Sequence, residues 1–151
     1  HAKALPLVEN VACAVENGLL NKTVVFGWHV EPLEAVVAGL RARGIRAELI
    51  NGATSAIRRV EIQNDFRHGN LQVVIANILA AGTAIDLSAA SHGYFLELDW
   101  VPGTNLQAAN RLISMDKAEG VTFDICTWPG SADDQVQRVL MRRANELSQL
   151  Y

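Results

Sequence analysis

Two hydrophobic periods alternate along this chain. Val8, Val11, Ala12 and Val15 recur at the three-and-four spacing of a helix face. Thr23 to Trp28 is a short β-branched and aromatic run, which predicts a strand. Leu33, Val36, Val37 and Leu40 make a second helical face, and Gly44 is placed to end it. A second strand is predicted over Ala47 to Ile50. Thr54 or Ser55 can cap a third helix that runs to about His68, where Gly69 stops it. Leu71 to Ala76 is apolar almost throughout, the pattern of a strand covered on both faces. Further strands are predicted over Gly93 to Leu98 and Val121 to Cys126, with a helix from Leu106 to about Ser114 between them. Ser131 caps a last helix carrying Val136, Val139, Leu140, Ala144 and Leu147 on one face.

Strands that alternate with helices imply crossover connections, hence an α/β domain with a parallel sheet covered on both sides. In such open sheets ligands bind at the carboxyl ends of the strands. The loops after Trp28, Ile50, Ala76 and Leu98 are therefore the places to look for chemistry. The length of 151 residues suits one domain, and no linker, repeat or low-complexity stretch interrupts it. The net charge of −3 argues against a strongly basic nucleic-acid module but leaves room for a local basic face. Cys13 and Cys126 sit in apolar periodic stretches and read as buried free thiols in a reducing compartment. Neither a signal peptide nor a long apolar run is present, so a soluble, intracellular protein without a membrane partner is expected, in the cytoplasm or at the nucleoid. The first residue is His1 rather than Met, which suggests a piece of a longer chain.

Three places carry candidate chemistry. Gln107, Arg111 and Ser114 share one face of the predicted 106–114 helix, just after Asp99-Trp-Val-Pro102. An amide followed one turn later by a guanidinium can grip a phosphate, although the same spacing also describes an ordinary solvated face. The small residues Ala80 to Ala84, with Gly82 among them, would let the backbone approach a ligand, and Asp86 can accept from a sugar hydroxyl. The alternative there is a helix start packed tightly on the sheet. Asn51-Gly-Ala-Thr54 is either a plain capped turn or a phosphate-binding one. No P-loop is present, the histidines lack metal-ligand spacing, and Glu97 and Asp99 read as solvated acids at a strand end.

In this order the segments resemble the C-terminal lobe of Swi/Snf-type ATPases and their relatives among superfamily-two helicases. The likeness covers essentially the whole chain. His1-Ala-Lys is similar to the His-x-Lys entry to that lobe, Lys22-Thr-Val-Val-Phe-Gly to its Lys-Val-Leu-Ile-Phe-Ser strand, and Ile50-Asn-Gly-Ala-Thr54 to its Leu-Asp-Gly-Ser-Thr turn. Phe66 stands where the family ends the next helix with Arg-Phe. Asn77 to Leu87 resembles motif V. Asp99, Trp100, Pro102, Gln107, Ala108 and Arg111 all fall at the spacing of the family's Asp-Trp-Asn-Pro … Gln-Ala-x-x-Arg, which makes this the most specific match.

The resemblance implies a three-layer, RecA-like (P-loop NTPase-like) open parallel sheet with helices on both faces, forming one domain over 1–151. It implies a partner N-terminal RecA-like lobe that holds ATP and Mg²⁺. This lobe would close over the nucleotide and hold one strand of DNA across the cleft, with RNA open beside DNA, and would be inactive alone. Carried over by position, Gln107 and Arg111 would be catalytic residues facing the ATP phosphates. Gly82 and Asp86, with Arg111, would form the nucleotide side, and Gly52, Thr54 and Asn77 would touch the nucleic-acid backbone.

The departures from the family pattern are specific. Ser114 replaces the second Arg of motif VI, Asp116 its Gly and Lys117 its final Gln; Ala84 replaces a motif V Gly, and the leading Ser or Thr is missing near Asn77. The second Arg is the family's arginine finger, a residue type that contributes about three to five powers of ten in phosphoryl transfer. Three readings follow: a helicase or translocase lobe with weakened hydrolysis, a non-catalytic binding module on a helicase-derived fold, and an unrelated α/β ligand-binding domain.

Overall fold

The computed structural model describes residues 4–18, 22–78, 85–90 and 92–96, together with the backbone of 122–125. Helix α1 is Ala4–Glu16, strand β1 Thr23–Gly27, helix α2 Val30–Ala42, strand β2 Ala47–Ile50, helix α3 Ala56–His68, strand β3 Val73–Asn77, strand β4 His92–Phe95 and strand β5 Thr122–Ile125. Among the described residues the strands form one five-stranded sheet in the order β2-β3-β1-β4-β5. Every pairing is parallel, with Phe26 level with Ala76 on one side and with Phe95 on the other.

Alternation along the strands sends side chains to two separate cores. Val24 and Phe26 of β1, with Val74 and Ala76 of β3, meet Ile62 and Phe66 of α3 and the segment that includes Ile85, Leu87 and Ala90. Val25, Val73 and Ile75 meet Leu7, Val8 and Val11 of α1 and Leu33, Val36 and Leu40 of α2 on the opposite face. All five residues of β1 are buried, as expected for a parallel strand covered on both sides. The Phe26 and Phe95 rings lie 5.1 Å apart, and both are fully buried with Phe66. Each such ring contributes about 1.5–3 kcal/mol through burial.

Local chemistry sets the helix ends. Ser55 caps α3 by accepting from the Arg58 N–H at 3.1 Å. At the far end of α2, Gly44 takes a left-handed conformation (φ 78°). There the Ile45 N–H returns to the Leu40 carbonyl and the Gly44 N–H to that of Arg41, while Ile45 and Leu40 bury together. Lys22, just before β1, reaches the carbonyls of Gly69 and Leu71 at 3.2 and 3.1 Å and lies 5.3 Å from the Phe66 ring centre. It thereby ties β1 to the exit of α3 at the amino edge of the sheet. On the outer side of β2, Arg41 donates Nε to the Ala47 carbonyl at 3.0 Å, and Glu48 is clamped between Arg41 and Arg58. The hydrogen bond that Arg58 donates to Glu61, with Glu48 alongside, raises its guanidinium above its ordinary pKa.

Two sequence expectations need correction. β3 begins at Val73 rather than Leu71, because Gln72 turns its side chain to the Arg46 N–H and Leu71 drops into the core. Cys13 is exposed rather than buried; it lies one step past the Leu7–Val8–Val11–Ala12 stripe, and its sulfur accepts from Asn17 Nδ2 at 3.2 Å. The predicted helices after Leu106 and Ser131, and Cys126, lie outside the described residues.

Candidate functional site

The carboxyl edge carries two adjacent structures. The first is the turn after β2. Asn51 Oδ1 accepts from the Ala53 N–H at 2.8 Å, Thr54 Oγ1 accepts from the Asn51 N–H at 3.0 Å, and the Thr54 N–H donates to the Asn51 carbonyl at 3.2 Å. Arg59, one turn into α3, closes the turn from below: its Nε donates to the Thr54 carbonyl at 3.1 Å and its Nη2 to the Asn51 carbonyl at 3.0 Å. Gly52 at the tip is exposed, and a Cβ there would meet nothing within 4 Å. The backbone at Gly52 is therefore open to a ligand, while Thr54 works inward to hold the turn.

The second structure joins β3 to β1. Asn77, the last residue of β3, donates Nδ2 to the Trp28 carbonyl at 2.6 Å. These neighbouring strands send their continuations to opposite faces of the sheet. β1 runs on into α2, which belongs to one core, and β3 into Ile78 and Ile85, which belong to the other. Ligands of open α/β sheets bind at the carboxyl ends where neighbouring strands diverge in this way. Asn77 ends one of the two strands and Trp28 follows the other.

Gly52, Thr54 and Asn77 thus come together on one edge, following the adjacent strands β2 and β3. Asp86 does not join them. Its N–H donates to Gln63 Oε1 at 3.0 Å, its Oδ1 accepts from the Ser88 N–H at 2.9 Å, and its Oδ2 lies 3.7 Å from Arg67 Nη1. These partners belong to the second half of α3 and to its own turn, roughly 12 Å of helix rise from the Ser55 cap. The carboxylate is engaged there by Ser88 and Arg67. Gly82, Gln107, Arg111 and Ser114 lie outside the described residues.

Two residues that the sequence reading passed over belong to this edge. Arg59 was hidden because an arginine in the first turns of a helix is ordinarily a solvated charge. Trp28 was taken only as the end of a strand, though a large aromatic just past the carboxyl end of a buried strand was the available signal.

The family model described as Helicase conserved C-terminal domain matches residues 6–116. The chain belongs to that family. As a helicase C-terminal domain of the Swi/Snf type, it is 30% identical over 144 residues to DNA annealing helicase and endonuclease ZRANB3 of Homo sapiens, covering 95% of this chain and 13% of ZRANB3. It is 27% identical over 130 residues to a Caenorhabditis elegans homolog of SWI/SNF-related matrix-associated actin-dependent regulator of chromatin subfamily A-like protein 1, covering 85% of this chain and 19% of that protein. The chain therefore spans less than a fifth of the length of these relatives. The crystal structure of the C-terminal part of the Fun30 ATPase domain superposes with a TM-score of 0.78 over 91% of this chain and 44% of that one, at 16% identity. The helicase C-terminal domain thus has the expected RecA-like sheet with helices on both faces. Among its described residues no helix is long and apolar enough to cross a membrane.

Proposed function

We propose that this chain is the second lobe of an ATP-dependent DNA helicase or translocase, working against a first RecA-like lobe of the same protein that holds most of the ATP and Mg²⁺. The observation that carries the reading is the meeting of the Gly52 turn and Asn77 at one carboxyl edge in a helicase C-terminal domain. A nucleic-acid backbone fits that edge. Exposed main chain at Gly52 can approach a phosphate closely, and contacts of this kind fix position without reading sequence. Thr54 and Asn77 act chiefly by holding the turn and the ends of β1 and β3 in shape. Gln107 and Arg111 are the residues of this chain proposed to face the ATP phosphates, where the Arg111 guanidinium offers a planar fork of donors. Gly82 and Asp86, with Arg111, are the residues proposed for the nucleotide side.

Hydrolysis is expected to be slow, because Ser114 has no charge to set against the transferred phosphoryl group. The test is DNA-stimulated ATP hydrolysis by the full-length protein and by Arg111→Ala. Measurable turnover that falls on the order of a hundredfold in Arg111→Ala is the expected result. Turnover indifferent to Arg111 removes it from the site.

Ser114 and Asp116 favour a second reading, a nucleic-acid- or protein-binding module on a helicase-derived fold that does not turn over ATP. That reading expects a well-folded full-length protein with binding unaffected by ATP. Recovery of ATP hydrolysis in Ser114→Arg beside an intact first lobe counts against it.

A further inference from the structure

We propose that Gln63 and Arg67 are positioning residues that couple nucleotide to nucleic acid: they tie Asp86 to α3, and α3 carries the turn at Gly52. The inference rests on the proposed reading of Asp86 as part of the nucleotide side and of the Gly52 turn as a nucleic-acid contact.

Polar contacts fasten α3 in two places. At its start, Ser55 accepts from the Arg58 N–H at 3.1 Å, and Arg59 donates to the Asn51 and Thr54 carbonyls at 3.0 and 3.1 Å. The Gly52 turn and the beginning of the helix are therefore one piece. In the second half, Gln63 Oε1 accepts from the Asp86 N–H at 3.0 Å, and Arg67 Nη1 lies 3.7 Å from Asp86 Oδ2. Ile62 and Phe66 of the same stretch share a core with Ile85 and Leu87, which flank Asp86. The ion pair is long and half-exposed, so by itself it adds little. The partly buried bond to Gln63 and the shared core make the joint. About 12 Å of helix rise separates the two fastenings, and the hydrogen-bonded helix between them passes a displacement from one to the other.

α3 is also the helix best able to respond. It buries two side chains, Ile62 and Phe66, where α1 and α2 bury five each. Ile57 and Val60 in its first half are 75% and 55% exposed. An element with few buried apolar contacts shifts at low cost. The Asp86 carboxylate supplies the trigger. Its Oδ1 accepts from the Ser88 N–H at 2.9 Å, while Oδ2 faces Arg67. A nucleotide hydroxyl that donates to Oδ2 competes with Arg67 for it. The nucleotide then favours one position of α3 over another, which is what a ligand-driven shift requires.

The experiment uses the full-length protein and fluorescence anisotropy with a labelled DNA duplex, with and without Mg²⁺ and a non-hydrolysable ATP analogue. No hydrolysis is needed, so Ser114 does not mask the result. In wild type the analogue is expected to change DNA affinity about tenfold. Gln63→Met with Arg67→Met removes the acceptor and the charge while keeping unbranched side chains. In that double variant the change is expected to fall to about twofold or less, with DNA affinity in the absence of nucleotide within about twofold of wild type. Gln63→Glu, which keeps an oxygen for the Asp86 N–H, should retain a change of about fivefold or more. A tenfold change in the double variant overturns the inference and leaves the proposed function intact. Affinity lost equally with and without nucleotide overturns it in favour of a purely structural role. If the double variant fails to fold, amide hydrogen exchange on wild type decides. The analogue is expected to change exchange over residues 53–59 about threefold or more, and unchanged exchange there overturns the inference. A wild type whose DNA affinity ignores nucleotide overturns the motor reading, and this inference with it.

Discussion

Arg59 uses one guanidinium to hold two carbonyls of the same turn, and the turn has no comparable support from elsewhere among the described residues. Hydrogen bonds to a charged donor contribute about 1.5–3 kcal/mol each when well placed. Arg59→Ala is therefore expected to lower stability by about 2 kcal/mol in urea titration, allowing for partial exposure. Arg59→Lys should recover less than half of that, because an ammonium cannot reproduce the fork. Gly52→Ala makes the opposite test. Open space awaits the methyl, so the melting temperature should hold while nucleic-acid affinity drops, and an unchanged affinity would mean that no ligand approaches the Gly52 backbone. At this scale the sequence was partly legible. The turn at Asn51–Thr54 and the cap at Ser55 could be read from side chains that bond to their own backbone within three residues. The link from Asn77 to Trp28 joins residues 49 positions apart, and no local pattern encodes a partner that only strand order brings near. The partners of Asp86, Gln63 and Arg67, likewise become its neighbours only after α3 packs.

α1 and α2 meet where Gly39 faces Val8. A Cβ at Gly39 would lie 2.9 Å from Val8 Cγ2, and valine has no flexible end to move aside. Gly39→Ala should thus cost about 1–2 kcal/mol despite alanine's better helix propensity. Val8→Ala in the same chain should relieve most of that cost, giving a double-mutant coupling of opposite sign to either single change; simple additivity would show that the helices do not touch there. Gly44→Ala, which forces a side chain into the left-handed conformation, is expected to cost about 1 kcal/mol. The helices were the most legible elements, because each buries one periodic stripe and carries its own stop. Strand ends were less so, since the apolar run begins at Leu71, which is buried in the core two residues before β3 starts. Strand order was not legible at all: β3 inserts between β2 and β1 through long-range pairing that leaves no mark on local sequence.

As a whole the molecule is weakly acidic, and among the described residues Arg58 and Arg59, near the carboxyl edge, are already committed to internal partners. Nucleic-acid affinity should consequently respond weakly to salt. For single strands, each phosphate neutralised adds about 0.7 to the slope of log affinity against log salt. A slope magnitude of about 2 or less is expected, and one above about 4 would point to a basic face elsewhere in the full-length protein. The sheet has two rims, and β2 forms one of them. A bare rim is a template on which another copy can add its own strand. Here the outward carbonyl of Ala47 is already taken by Arg41, and Glu48 beside it is pinned by two arginines of different helices. Crowded copies of this lobe can thus stand side by side without sharing a sheet, and replacing Glu48 by valine would turn that same crowding into a seed for aggregation.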